Sequence, residues 1–264
     1  MSKHYPSDLT DGEWEYLTKA LPKQSKKGRP ATHGRRDILN AIFYLARTGC
    51  AWRYLAKEYP PWKTVYHYFR KWRVDGVWKR VNKQLRRLLR KRKSKHSQAS
   101  LAILDSRSVK TTDVAKADTV GYDSGKKVKG RKHHILVDTL GLVIAVVVHA
   151  ANISETAGAR LVLEALKNRF WRLKKVIVDG GYQASLPEWV AGLERWRKVV
   201  VEWVLREPDQ KGFAVLPKRW IVERTFGWMS KHRRLSKDYE ALPETSEAMI
   251  YVVMIRVMVS QLSR

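Results

Sequence analysis

Two aspartates that end apolar runs are the first side chains whose types and spacing could do chemistry. The run 101–104 leads into Asp105, and the run 176–178 leads into Asp179. Such runs are typical of strands buried on both faces, and ligands of these sheets bind beyond the carboxyl ends of the strands. If the two strands are neighbours, the two carboxylates need either a shared proton or a cation. An all-oxygen site of this kind favours Mg²⁺ or Mn²⁺.

A third acid, Glu223, lies in a helix predicted over residues 219–236. One stripe of this helix combines the acid with small side chains and arginines at spacings of three or four residues. The stripe consists of Arg219, Glu223, Gly227, Ser230 and Arg234. Small side chains let a metal ion and a phosphate backbone approach closely, and arginine can bind two phosphate oxygens at once. We therefore expect Glu223 to complete the acidic site and Arg219 to clamp a phosphate.

The charge balance indicates a polyanionic partner. The 264 residues include 53 Lys and Arg against 25 Asp and Glu, so the formal net charge is +28. Binding a polyanion such as nucleic acid offsets the mutual repulsion of these charges. A solvated basic surface or a ribosome-bound protein is the alternative that charge alone leaves open.

The cysteine content and the apolar segments indicate in which cellular compartment the protein is expected. Cys50 is the single cysteine, which excludes a disulfide framework and a cysteine-rich zinc site and fits a reducing cytoplasm. The most apolar stretch, at 248–262, contains Arg256 and is too short to span a bilayer. We expect a soluble, untargeted protein of a reducing cytoplasm, without a membrane segment.

Residues 1–92 are predicted to form an all-α, DNA-binding domain. A capping-box pattern at 10–13 begins its first helix, and the last runs over 77–92. In the helix at 62–72 an apolar stripe faces the core, and basic side chains remain outside. The order short helix, turn, helix resembles a helix-turn-helix, although any small basic helical bundle looks similar. The DNA contacts expected here are Lys63, His67, Arg70 and Lys71.

A basic linker at residues 93–99 precedes a second, catalytic domain at 100–264. There the pattern changes to strands followed by helices, in the order β-β-β-α-β-α-β-α. This order describes an α/β fold, a mixed sheet covered by helices whose first three strands are antiparallel and whose later strands are parallel. A ribonuclease-H-like core has that order. Asp138, in the sequence DTLG, is predicted to form the turn between two of the strands.

A basic arm at 125–134 adds a second candidate surface for DNA. It combines glycines with several cations just before a predicted strand. We interpret it as a hairpin that contacts phosphates beside the metal site, with a solvated loop as the alternative. The contacts expected on the arm are Lys126, Lys127, Lys129, Arg131 and Lys132. Those expected at the end of the Glu223 helix are Lys231, Arg233 and Arg234.

Seven motifs in the right order resemble bacterial insertion-sequence transposases of the DDE type, specifically the insertion-sequence-five group of the insertion-sequence-four/five superfamily. They are DLTDGEWEYL at 8–17, AIFYLARTGCAWRYL at 41–55, TVYHYFRKW at 64–72, DSRSVKTT at 105–112, GYDSGKKVKGRKHHILVDTLGL at 121–142, VDGGY at 178–182 and WIVERTFGWMSKHRRLSKDYE at 220–240. The resemblance covers nearly the whole chain.

The resemblance implies a ribonuclease-H-like, retroviral-integrase-type catalytic core behind a helical DNA-binding domain. Asp105, Asp179 and Glu223 match the DDE triad, which implies two Mg²⁺ or Mn²⁺ ions. Arg219 matches the arginine of the related insertion-sequence-four pattern, whereas Ser230 stands where that pattern has lysine, with Lys231 one residue beyond. The nearer group typically has Gln at the position of Arg107.

The predicted function is a DNA transposase that cleaves and joins strands. Its expected partners are double-stranded DNA, as terminal inverted repeats and as target, and a second copy of the chain or a larger assembly on DNA. Two other functions stay open. One is a basic DNA-binding protein, such as a repressor or a domesticated transposase, and the other is an endonuclease that cuts without joining.

Overall fold

A computed structural model describes residues 5–23, 31–166, 170–182, 185–194, 198–204 and 218–264 of the chain. Within these ranges eight α-helices surround one mixed six-stranded sheet. The predicted α/β class is therefore confirmed.

The N-terminal region is helical, as the sequence predicts. Its helices are α1 (Asp11–Ala20), α2 (Arg35–Thr48), α3 (Trp62–Val74) and α4 (Val77–Arg92). The predicted capping box begins α1, because the Thr10 hydroxyl accepts from the backbone N of Glu13 and the Glu13 carboxylate accepts from that of Thr10. Gly49 ends α2 in the left-handed conformation, at φ 75°. A helix-turn-helix around α3 stays a prediction.

The sheet consists of three long antiparallel strands and two short parallel ones, with one further short strand at the edge. The strands are β1 (Leu101–Lys110), β2 (Gly121–Asp123), β3 (Val128–Asp138), β4 (Val143–Ala150), β5 (Lys175–Val178) and β6 (Val200–Trp203). The order is β2-β3-β1-β5-β6, with β4 also paired to β3, and β5 and β6 run parallel to β1. This is the arrangement expected for a ribonuclease-H-like core. The strand β2 was not predicted.

The remaining helices are α5 (Glu155–Ala165), α6 (Ser185–Gly192), α7 (Trp220–Ser230) and α8 (Pro243–Leu262). The helix predicted over 219–236 is too long, because α7 ends at Ser230. The chain then turns inward, where the guanidinium of Arg234 donates to the Glu240 carboxylate at 2.9 Å and to the Cys50 carbonyl at 3.2 Å. These tertiary contacts outweigh the helical periodicity of the sequence.

One apolar core joins the N-terminal helices to the sheet. Leu17 of α1, Ile42 of α2 and Val81 of α4 pack in the same buried cluster as Val143 of β4 and Met254 of α8. The predicted division into residues 1–92, 93–99 and 100–264 stays a prediction, but the helical region does not stand apart from the sheet. In the described ranges α8 is the one helix long and apolar enough to span a membrane, and 67% of that stretch is buried, as in a core helix.

A buried ion pair connects the two regions. Arg90 of α4 contacts the Asp138 carboxylate at 2.8 Å, and both side chains are almost fully buried. The other Asp138 oxygen accepts from the backbone N of Leu140 and Leu142, which confirms the predicted turn. The same carboxylate therefore closes the β3–β4 turn and neutralises the arginine.

We expect Asp138→Ala to lower the free energy of unfolding by about 3–5 kcal/mol, because it leaves Arg90 buried without its charge partner. Asp75→Ala is the control, since its exposed pair with Lys71 is worth roughly 1 kcal/mol or less. Equilibrium urea unfolding measures both. Similar small losses in the two variants would show that the buried pair contributes little.

Candidate active site

Parallel pairing of β1 with β5 places two aspartates side by side. The last paired residues are Ile103 and Ile177, and each strand reaches its aspartate two residues later. A guanidinium nitrogen of Arg219 lies 3.7 Å from Asp105 Oδ2 and 3.3 Å from Asp179 Oδ2. The expected neighbours therefore lie together at one edge of the sheet, and a single cation contacts both.

The two aspartates occupy different positions relative to their strands. Asp179 follows β5, as predicted, and its Oδ1 accepts from the backbone N of Gly181 at 2.9 Å. Asp105 is not at a strand end, because β1 stays paired to β3 as far as Lys110. Its Oδ1 accepts from the backbone N of Ser106 at 2.7 Å. Each carboxylate thus has one oxygen held by the backbone and one directed toward the guanidinium.

Burial makes the negative charge of Asp105 costly. Burial raises the pKa of Asp105 to about 6, the Ser106 N–H lowers it, the charge of Asp179 raises it and Arg219 lowers it. Two carboxylates that share a cation form an all-oxygen donor set, the kind that Mg²⁺ and Mn²⁺ prefer. The residues present therefore fit a divalent ion.

Glu223 is not grouped with the two aspartates. It lies one helical turn beyond Arg219, and its side chain is exposed. Across the described ranges no cluster of three or more His, Cys, Asp or Glu side chains is arranged to hold a metal ion. The predicted stripe is nevertheless open, since a Cβ at Gly227 would meet no atom within 4 Å and Ser230 is exposed. A ligand can approach this face of α7.

Arg107 attaches the other end of α7 to β1. Its guanidinium donates to Ser230 Oγ at 3.3 Å and to the Leu235 carbonyl at 3.1 Å, and it lies over the Phe226 ring. Burial lowers the pKa of Arg107 to about 10. Arg107, which follows Asp105 and Ser106, therefore binds Ser230. Ser230 is the helix position at which the related insertion-sequence-four pattern has lysine.

The expected DNA contacts divide into exposed and buried residues. The exposed ones are Lys63, His67, Arg70, Lys71, Lys126, Lys127, Lys129, Lys231 and Arg233. Arg131, Lys132 and Arg234 are at most 6% exposed, and each is paired with acids or carbonyls inside the protein. The predicted phosphate contact is corrected for these three, because buried cations hold the fold together and do not face a ligand.

Sequence reasoning missed the carboxylate of Glu155. This residue begins α5, where Ser154 caps the helix, and its carboxylate lies among cations and a histidine behind β1. The Ser-Glu pair is an ordinary helix start, so nothing in its spacing separates it from any other first-turn acid.

Comparison with known proteins identifies the family. Residues 96–258, more than half of the chain, match the model described as "Transposase DDE domain", and residues 9–82 match "Putative transposase of IS4/5 family". The chain belongs to the DDE transposases of the IS4/5 family.

A curated relative is the "Putative transposase for insertion sequence element IS402" of Burkholderia cepacia. It is 27% identical over 123 residues, which cover 42% of this chain and 54% of that protein. The match thus spans about half of the relative's length. The family models, in contrast, cover both the helical region and the sheet of this DDE transposase.

We expect Asp105→Asn to stabilise the metal-free protein at alkaline pH. Because the folded pKa lies near 6, above the ordinary 3.8, stability from protonated Asp105 is present below pH 3.8 and lost as the pH rises through 6. Unfolding in urea at pH 8 should show a gain of about 1–3 kcal/mol, and at pH 4 almost none. The exposed Asp113→Asn is the control. Equal effects at both pH values would contradict the buried charge.

Proposed function

We propose that this chain is a DNA transposase that binds the terminal inverted repeats of its own insertion sequence and cuts and joins DNA strands at the Asp105–Asp179 edge. The observation that carries the proposal is the pair of partly buried carboxylates on adjacent parallel strands, bridged by one cation. It occurs in a chain of net charge +28 that belongs to the DDE family.

Asp105 and Asp179 are the proposed metal ligands, with Glu223 as the third. Two Mg²⁺ or Mn²⁺ ions, when bound, would activate the attacking water or 3′-hydroxyl and stabilise the leaving oxygen. The chain contributes the placement of the carboxylates, because the backbone N–H groups of Ser106 and Gly181 hold one oxygen of each. Among the described residues no backbone N–H anchors Glu223 in this way, and we propose that its carboxylate joins them from the open face of α7.

Arg219 is the proposed phosphate clamp. It now pairs with both carboxylates, and a guanidinium in this position also reaches a phosphate bound between them. Its planar fork can donate to two phosphate oxygens at once and so orient the scissile group. The residue therefore serves as a counter-ion without DNA and as a clamp with it.

Two exposed basic surfaces are the proposed DNA contacts. One is the α3 face with Lys63, His67, Arg70 and Lys71, and the other is the β2–β3 turn with Lys126, Lys127 and Lys129. We place inverted-repeat binding on the first, target and flanking DNA beside the second, and two or more copies of the chain on the DNA. The proposed compartment is the bacterial cytoplasm, at the nucleoid.

An endonuclease that does not join strands is the second candidate, because it would need the same carboxylates. A strand-transfer assay with a pre-cut end separates the two functions. Joined product supports the transposase, and cleavage without joining supports the nuclease.

We expect Asp105→Asn and Asp179→Asn to abolish Mg²⁺-dependent cleavage of a duplex that carries the inverted repeat. An amide is a poor metal ligand, but the substitution removes no cation that contacts phosphate, so DNA affinity should stay within about threefold. Gel-based cleavage and metal-free binding assays measure the two effects, with Asp113→Asn as the matched control. Cleavage by either purified variant at the wild-type rate would refute the assignment.

We expect Arg219→Lys to lower the cleavage rate much more than the DNA affinity. Lysine keeps the charge but loses the bidentate fork, and loss of a preorganised donor costs about 2–4 kcal/mol, or roughly thirtyfold to a thousandfold in rate. Single-turnover cleavage with saturating DNA measures that step, and Arg80→Lys, at an exposed arginine of α4 that is not among the expected DNA contacts, is the control. An unchanged rate would reduce Arg219 to a structural counter-ion.

A further inference from the structure

A second polar cluster lies on the opposite face of β1 from Arg219. Side chains alternate along a strand, so Ser106 points away from the Asp105 face and toward α5. The cluster surrounds the carboxylate of Glu155, the first residue of α5. Its other members are Ser106, Lys126, Lys132 and His134.

The Glu155 carboxylate is held on both oxygens. Oε2 accepts from Ser106 Oγ at 2.6 Å and lies 3.1 Å from His134 Nε2, while Oε1 lies 3.2 Å from both Lys126 Nζ and Lys132 Nζ. Burial raises the pKa of Glu155, but the contacts with His134, Ser106 and Lys126 outweigh burial and hold it well below its usual range. The group is therefore an anion at neutral pH.

The need to neutralise the buried Lys132 is not a sufficient explanation for the Glu155 carboxylate, because Lys132 also contacts another acid. The Lys132 ammonium has two other partners, the Ile153 carbonyl at 3.0 Å and Asp123 Oδ2 at 3.5 Å. Lys126 differs, because 44% of its side chain is exposed and water could solvate its charge. An exposed lysine normally samples many rotamers. The contact with Glu155 holds the Lys126 side chain in one of them.

The turn that carries Lys126 is also fixed. Asp123 Oδ1 accepts from the backbone N of Lys126 at 3.0 Å, and Lys127 adopts the left-handed conformation at φ 53°. From this turn Lys126 Nζ reaches to 3.4 Å from the Ser106 carbonyl oxygen and 3.3 Å from Ser106 Oγ. The ammonium is thus held at the residue that follows Asp105.

Glu155 also lies near Gly181, two residues after the other aspartate. A Cβ at Gly181 would lie 3.1 Å from Asp179 Oδ1 and 3.8 Å from Glu155 Cγ. The absence of a side chain at Gly181 therefore lets the Glu155 chain pass close behind the Asp179 loop. The Glu155 side chain thus contacts Ser106 of β1 and the exposed Lys126, and it lies close to the position that a side chain at Gly181 would occupy.

We propose that Glu155 is a positioning residue that holds the Lys126 ammonium beside the Asp105–Asp179 edge, where it contacts a phosphate of the DNA strand being cut. The phosphate contact rests on the proposed function, DNA cleavage at this edge. The placement of Lys126 by Glu155 does not depend on that function. Glu155 acts through Lys126 and does not itself contact DNA. Lys126 thus differs from Lys127 and Lys129, for which the described part of the chain provides no such carboxylate.

Amide hydrogen exchange of the full chain tests the placement without any activity. Glu155→Gln should speed exchange at least about tenfold in the 121–130 hairpin, since a hydrogen-bonded region that loses its anchor opens more readily. Glu202→Gln, which breaks the half-buried pair between Lys175 and Glu202, is the control and should leave the hairpin unchanged. Unchanged exchange in Glu155→Gln would overturn the proposal.

A double-mutant cycle tests the route through Lys126. Glu155→Gln and Lys126→Met should each slow single-turnover cleavage by about tenfold to a hundredfold, as expected for a lost preorganised cation. The double variant should be no slower than Lys126→Met alone, because the two residues act as a unit. Losses that multiply would overturn the proposal.

DNA affinity separates positioning from simple electrostatics and from misfolding. Glu155→Gln removes a negative charge, so metal-free binding to duplex DNA should be equal to wild type or tighter while cleavage falls. Weaker binding together with a lower melting temperature would indicate a structural residue and overturn the proposal. If the wild type cleaves no DNA, the proposed function fails, and the exchange experiment still decides the role of Glu155.

Discussion

Burial of the Asp105 carboxylate beside a second acid, Asp179, is the constraint on which the rest of the site depends. The β1–β5 register places both carboxylates at one edge, and burial raises the pKa of Asp105 to about 6. The fold tolerates this arrangement because a cation, Arg219, contacts both groups. A strained acidic pair of this kind is typical of sites where function is maintained at the expense of stability.

The surroundings of the pair make its geometry rigid. On one face of β1, Arg107 attaches α7 through Ser230 and the Leu235 carbonyl. On the other face, Glu155 ties α5 to Ser106 and Lys126. The N-terminal helices and α8 pack on one face of the sheet, and α5 and α6 pack on the other. Side chains from distant parts of the sequence are therefore positioned by two apolar clusters on the two faces of one sheet.

Most of the helices and strands and the two neighbouring aspartates could be predicted from the sequence, because their signals are local. Apolar periodicity indicated the helical region and the strands, the capping box indicated the start of α1, and two apolar runs ending in Asp indicated the neighbouring carboxylates. The wrong predictions concern side chains whose partners are determined by tertiary contacts. Arg131, Lys132 and Arg234 look like surface cations in the sequence, yet each has an acid within reach only after folding.

The same limit applies to the site itself. Glu223 and Arg219 share a helix stripe, but spacing alone could not show that Arg219 contacts the aspartates while Glu223 stays apart. Nor could it single out Glu155, whose partners come from β1, β3 and the turn before β3. Local patterns therefore predicted which residues are chemically suitable, and the sheet register decided which of them meet.

The most direct test of the account is a change of ligand atom at the sheet edge. Sulfur is a softer ligand than oxygen and binds Mg²⁺ poorly but Mn²⁺ better. We therefore expect Asp179→Cys to be inactive in cleavage with Mg²⁺ and to regain at least about tenfold activity with Mn²⁺, relative to an Asp113→Cys control that cleaves like wild type with both ions. Equal activity of Asp179→Cys with the two metals, or no recovery with Mn²⁺, would contradict metal binding at this edge.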